Sequence, residues 1–240
     1  MTAEPTLLAI DTATDACSVA LRAEGAVAAH RSAPMARGHA EALMPMVVEA
    51  LDAAGLGFAD LEGVAVTVGP GAFTGLRIGL AAARGIGLAA GIPVLGATTL
   101  EVIARAVPAA ERNAEHGGAS VVVAIESKRA DLYLQGFDAG LAPLGAPAAV
   151  MPEALAGRLP EGPLVLAGDG AARAAAALDA PGRITLSASG PHPDARVLAA
   201  LAAARLAAGG AAIADAPPPE PLYLRPPDAK LPAGGGRLRP

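Results

Sequence analysis

The distribution of apolar positions divides the chain into two successive sets of short elements. Residues 6–12, 16–23 and 25–32 read as three strands, with a tight turn at Glu24-Gly25 between the last two. Helical spacing follows over 39–54, then a β-branched strand at 63–68, a helix at 75–90, a short strand at 93–96 and a helix at 98–106. A polar, Gly-containing stretch from Glu111 to Ser120 separates these from a second set. That set comprises a hairpin built from Val121–Ile125 and Asp131–Phe137, a strand at Leu164–Ala167, and helices near 169–178 and 194–208. The two halves repeat in plan, the second abbreviated. The pattern predicts an N-terminal lobe over 1–110, a C-terminal lobe over 118–216, and a Pro- and Gly-rich arm or tail over 217–240.

Two helices of the first half carry more apolar surface than one sheet needs. In the helix at 39–54, Leu43, Met44, Val47, Val48, Leu51 and Ala54 spread over more than one face, leaving Glu41, Glu49 and Asp52 for water. In the helix at 75–90, Gly75, Gly79, Ala83, Gly87 and Gly91 recur every four residues and form a bare stripe open to close approach. Burial on two sides within the same lobe is one reading, and an intersubunit helix bundle is the preferred one. The partner-facing set under that reading is His39, Leu43, Val47, Ala50, Leu51, Arg77, Gly79 and Ala83.

Between the strand at 63–68 and the second helix runs Gly69-Pro70-Gly71-Ala72-Phe73-Thr74-Gly75. Thr74 is placed to cap the helix, with Phe73 and Ile78 as a hydrophobic staple, while Gly91 and Pro93 end it. Arg77 lies in the first turn, where a cation opposes the helix dipole, so an acidic side chain or carbonyl is expected to meet it. The loop is not a Walker A motif, because no lysine stands in it. Its glycines are one residue too widely spaced for a dinucleotide fingerprint.

The string Gly69 to Gly79 closely resembles the signature of the bacterial TsaB (YeaZ) family, a component of the machinery that makes threonylcarbamoyladenosine in tRNA. Leu8–Ala13 with Cys17–Leu21, His39–Pro45 and Pro221–Arg225 are similar to the family's opening hairpin, first helix and closing motif. The resemblance implies an α/β fold of two RNase H-like lobes, as in the actin-like ATPase and sugar-kinase superfamily, with the second lobe shortened. It also implies a noncatalytic scaffold or dimerisation subunit of the complex that forms N6-threonylcarbamoyladenosine at position 37 of tRNA. The partners implied are a TsaD-like catalytic subunit, met through the first-lobe helices, a TsaE-like ATPase, and tRNA held through the complex. Self-pairing in isolation stays open. ATP belongs to the complex, and no cofactor is expected on this chain alone.

Superfamily enzymes hold ATP phosphates on two glycine-containing turns. Asp11-Thr12-Ala13-Thr14 stands at the first, where Ala13 replaces the usual Gly and its Cβ opposes close approach of a phosphate. Gly168-Asp169-Gly170 stands at the second and keeps its glycines, so residual nucleotide binding by Asp11, Thr12, Gly168, Asp169 and Gly170 stays open. The alternative class is a self-sufficient ATP-dependent kinase or hydrolase. Metal binding is not expected: His39 is followed four residues later by Leu43, and His30, His116 and His192 show no paired helical spacing. Ser187-Ala188-Ser189-Gly190 and Ser127-Lys128 lack the context of a hydrolase nucleophile.

Composition narrows the partners. A net charge of −5 opposes autonomous binding of nucleic acid, whose affinity rests on Lys and Arg at phosphates. The single cysteine, Cys17, sits in a strand pattern and reads as a small buried hydrophobe, consistent with a cytoplasmic setting. Neither a signal peptide nor a membrane-spanning run is expected.

Overall fold

The computed structural model describes residues 4–112, 118–209 and 216–225. The first sheet contains β1 (Leu7–Thr14), β2 (Ala16–Ala23), β3 (Ala26–Pro34), β4 (Gly63–Thr67) and β5 (Val94–Ala97), in the order β3-β2-β1-β4-β5. The second contains β6 (Ser120–Glu126), β7 (Leu132–Phe137), β8 (Ala148–Val150), β9 (Leu164–Ala167) and β10 (Ile184–Leu186), in the order β10-β9-β6-β7-β8. Numbered within each lobe, both orders are 3-2-1-4-5. In both, the first three strands pair antiparallel and the last two add in parallel. The expected repetition in plan is therefore a repetition of topology, the RNase H-like arrangement twice over.

Strand alternation decides which helix covers which face. Along β1, Leu8 and Ile10 point to the side covered by α1 (His39–Ala54) and α2 (Phe73–Ala90), whereas Leu7 and Ala9 point to the other. That other face is closed by α6 (Ala195–Gly209), through Ala195, Leu198, Ala199 and Ala202. The sequence reading grouped this helix with the C-terminal lobe. The structure corrects that boundary: without α6, Leu7, Ala9, Ala20 and Ala65 of the first sheet would face water.

One short helix serves both lobes. On α3 (Thr99–Ala106), Val102 packs into the first sheet's core, and Leu100 and Ile103 pack against Val121, Val123 and Val165 of the second. The helix is begun by Thr98, whose side-chain oxygen accepts the Glu101 N–H at 3.0 Å. On the far side of the second sheet, α5 (Ala171–Leu178) closes a smaller core with Leu132, Leu155, Leu164 and Leu166. A four-residue turn of helix, α4 (Ala109–Arg112), follows α3. No helix among the described residues is long and apolar enough to cross a membrane. His116 and the tail beyond Arg225 lie outside the described residues.

Candidate functional site

The glycine stripe of α2 turns inward. A Cβ on Gly75 would stand 2.1 Å from the Thr12 carbonyl oxygen, and one on Gly79 would stand 2.5 Å from the Thr12 hydroxyl. That hydroxyl donates to the Gly75 carbonyl at 2.7 Å, locking α2 onto β1. The approach foreseen for the stripe is thus made by the chain's own strand. Gly79 and Ala83 are buried in the lobe, as are His39, Leu43, Val47, Ala50 and Leu51 on α1. These seven were expected at a partner surface, and two-sided burial within the lobe is the correct reading for them. The outward faces instead carry Met44 and Val48 on α1 and Leu88 on α2, the last 87% exposed. Between the helices, Met44, Phe58, Ala59, Gly85, Ile86 and Ala89 line an apolar groove of about 590 Å³.

The loop before α2 is fastened on three sides. The Ala72 N–H donates to the Ala13 carbonyl at 2.7 Å, the Thr99 N–H to the Gly69 carbonyl at 2.9 Å, and the Leu222 N–H to the Val68 carbonyl at 2.7 Å. Gly69 has φ +111°, open to glycine and rare for other residues, and the Gly69–Pro70 peptide is cis. The helix begins two residues earlier than expected: Ala72 is the N-cap, Phe73 the first helical residue, and Thr74 makes no cap. Phe73 is not stapled inward but lies exposed at 47%, its ring 5.4 Å from that of Tyr223.

Arg77 does have a partner group, of a different kind from that expected. Its guanidinium carbon sits 3.7 Å above the Phe73 ring, and its Nε donates to the Tyr223 hydroxyl at 3.0 Å. Among the described residues neither an acid nor a carbonyl is involved, and the partner comes from the C-terminal arm. Over 216–225 the arm is a docked strap: Arg84 donates to the Pro219 carbonyl at 2.6 Å, and Arg225 pairs with Asp131 of the second lobe.

The two turns compared with phosphate loops are filled by the protein itself. At the first, Gly71 and Ala72 lie against Ala13, so close that a Cβ on Gly71 would stand 2.2 Å from the Ala13 oxygen. At the second, the Gly170 N–H donates to the Ala124 carbonyl at 3.0 Å. Gly168, at φ +97°, comes against that same carbonyl, where a Cβ would be 2.3 Å away. Asp169 accepts the Glu126 N–H at 2.8 Å, and burial raises its pKa. Asp11 is wholly buried: its Oδ1 accepts from the Thr67 hydroxyl at 2.6 Å and the Ala13 N–H at 3.2 Å, while Oδ2 has no partner among the described residues. Burial pushes this carboxyl up to about 7, against the lowering effect of those two bonds.

Two further features could not be foreseen from spacing. Ser18, His30 and Asp194 come together, but one ring nitrogen, Nε2, faces both Ser18 at 3.3 Å and Asp194 at 3.7 Å. A proton relay needs two different ring nitrogens, and Ser18 is instead occupied accepting the Ala195 N–H at the start of α6. His39 lies against Thr14, its Nε2 donating to the Thr14 carbonyl at 3.1 Å. Among the described residues no three metal-ligating side chains converge. Cys17 is buried, which pushes its thiol up to about 11.

Between the lobes opens a cavity of about 1160 Å³, bounded by the starts of α1 and α2, the β1–β2 turn, residues 127–129 and the arm. Lys128 crosses it to pair with Asp15. In fold the whole chain is similar to YeaZ from Pseudomonas aeruginosa, at a TM-score of 0.74 and 31% identity, covering 92% of this chain and 100% of that one. The chain belongs to the TsaB/YeaZ family. A family model described as TsaD, tRNA N6-adenosine threonylcarbamoyltransferase, matches residues 33–140. The tRNA threonylcarbamoyladenosine biosynthesis protein TsaB of Escherichia coli is 40% identical over 127 residues, 53% of this chain and 52% of that protein. Thus the matched segment spans about half the length of this curated TsaB relative. An uncharacterized protein of Mycobacterium tuberculosis is 38% identical over 235 residues and 94% of each chain.

Proposed function

We propose that this chain takes part in tRNA threonylcarbamoyladenosine formation as a noncatalytic scaffold subunit, docking a TsaD-like catalytic subunit on the outward faces of α1 and α2. The observation that carries the reading is the apolar surface shared by those helices, with Leu88 almost fully exposed beside the Met44–Phe58 groove. Burying such a surface against a second helix pair contributes about 25 cal/mol for each Å² removed from water. A TsaE-like ATPase and tRNA are then met through the assembled complex, and in isolation the same surface allows self-pairing. Noncatalysis is supported by the first phosphate-type turn, whose Ala13 carbonyl is taken by the Ala72 N–H.

The test is titration of a TsaD-like subunit with wild type and with Leu88→Glu. Because Leu88 is exposed, the variant is expected to stay folded and to lose at least tenfold in affinity. Unchanged affinity would move the docking site elsewhere. Threonylcarbamoyl transfer is expected only with the catalytic subunit present, and turnover by this chain alone would overturn the scaffold reading.

A further inference from the structure

The two lobes are joined on one side by shared core. Leu100 and Ile103 of α3 pack against the second sheet while Val102 packs against the first, so α3 is the pivot between them. On the other side lies the cavity, and there the links are polar. Because both sheets have the same strand order, the β1–β2 turn at Asp15 and the β6–β7 turn at 127–131 are equivalent positions of the two lobes, and both border the cavity. Lys128, at φ +63°, takes a backbone conformation rare for residues with a side chain and pairs with Asp15.

A second link runs through the arm. Arg84 and Arg77 of α2 donate to the Pro219 carbonyl and the Tyr223 hydroxyl, and the Leu222 N–H donates to the Val68 carbonyl, which fastens the arm to the first lobe. Arg225 then reaches the second lobe and pairs with Asp131, a buried carboxylate that also accepts from the Ser127 hydroxyl at 2.6 Å. Two glycines make room for the arm: a Cβ on Gly96 would stand 2.7 Å from the Pro219 side chain, and one on Gly69 would stand 2.8 Å from the Leu222 carbonyl oxygen. Leu222, Tyr223, Leu224 and Arg225 form one wall of the cavity. With Phe73 and Tyr133 opposite, the cavity gathers both tyrosines and one phenylalanine of a chain that has three Phe, two Tyr and no Trp.

The arm nevertheless belongs to neither core. No residue from 216 to 225 is buried, and none takes part in the apolar clusters that fill the two lobes. Of the four anchors, three are arginine contacts near the surface, of a kind that water readily replaces. Detaching the arm would therefore leave both lobes packed while removing a wall of the cavity and a link across it. We infer that the arm is a releasable strap on the interlobe cavity: docked, it holds the second lobe to the first through Arg225, and released, it lets the lobes part about α3 and opens the cavity. The strap requires neither the docking face of α1 and α2 nor any occupant of the cavity, so it and the scaffold role can fail separately.

Spin labels at Ala40→Cys and Ala130→Cys, exposed positions beside the cavity on the first and second lobes, read its width in the full chain by pulsed electron paramagnetic resonance. Cys17 is buried and should stay unlabelled. The labelled parent is expected to give one narrow distance distribution. Arg225→Ala should broaden it toward longer distances, and so should Asp131→Asn, which keeps the side-chain shape and removes the charge. Arg77→Ala combined with Arg84→Ala should do the same, with hydrogen exchange at the Leu222 amide at least tenfold faster. The melting temperature of Arg225→Ala should stay close to that of the parent. A distribution for Arg225→Ala that superposes on the parent's would overturn the inference, as would faster exchange at Leu222 with no change in width. Loss of amide protection throughout the second sheet in Arg225→Ala would overturn it too, since the arm would then be part of the fold and not a strap upon it.

Discussion

The Tyr223 hydroxyl accepts a hydrogen bond from Arg77 Nε at 3.0 Å across a sequence separation of 146 residues. This contact joins the helix that follows the signature loop to the closing segment of the family motif set. A cation in the first turn of α2, unfavourable on dipole grounds, is thereby held by a phenol and by the face of Phe73.

Arg77→Ala should release the arm rather than relieve the helix. Loss of the hydrogen bond and of the cation–π contact is expected to cost about 1 kcal/mol. Hydrogen exchange at the Leu222 amide, which donates to Val68, should accelerate in the variant. Unchanged protection there would mean that the arm is held by its other contacts alone.

Val47 is fully buried between α1 and the first sheet. Val47→Glu should therefore unfold the lobe, because an unpaired carboxylate in that core costs several kcal/mol. Thermal denaturation of the isolated chain reads the result. A folded variant with a near-normal melting temperature would put Val47 back at a surface.

Gly75→Ala should destabilise by about 1 to 3 kcal/mol despite the better helix propensity of Ala. The added Cβ would lie 2.1 Å from the Thr12 carbonyl oxygen, which is main chain and cannot swing aside. Urea denaturation checks the sign. Gly85→Ala is the control: nothing lies within 4 Å of a Cβ there, and that substitution should stabilise.

Asp11 sets a pH dependence whose sign follows from its raised pKa. The folded chain keeps the proton up to about 7, whereas an unfolded aspartate releases it near 3.8. The native state therefore binds more protons between those values, and this group's contribution is fully present below pH 4 and is lost as pH rises through 7. Asp11→Asn should remove this part of the slope and exceed wild type in stability near pH 8. The gain should be of order a few kcal/mol, at about 1.4 kcal/mol for each pKa unit. Urea midpoints measured from pH 5 to 8 would show it, and parallel profiles for the two proteins would refute it.

Much of the candidate site was legible before any coordinates. The glycine loop, the αL residue Gly91 that ends α2, and the anomaly of Arg77 all follow from local backbone and dipole rules. The direction of the two helix faces did not. The inward and outward sides of α1 both carry aliphatic residues, Val47 and Val48 being adjacent, so periodicity could not say which side meets the sheet. The small residues of α2 signalled close approach, yet nothing in their spacing distinguished a strand of the same lobe from another subunit.

By itself the sequence determined the order of the elements, the repetition of a lobe and the family, since strand alternation, helix ends and the signature string are all local properties of the chain. Only the tertiary structure decided that α6 closes the first lobe, that Tyr223 meets Arg77, and that the rare aromatics gather in one cavity. Each of these joins positions more than a hundred residues apart, or two separate lobes. Such contacts are selected by which apolar faces remain to be buried once both sheets have formed, a condition that belongs to the assembled molecule and to no single segment.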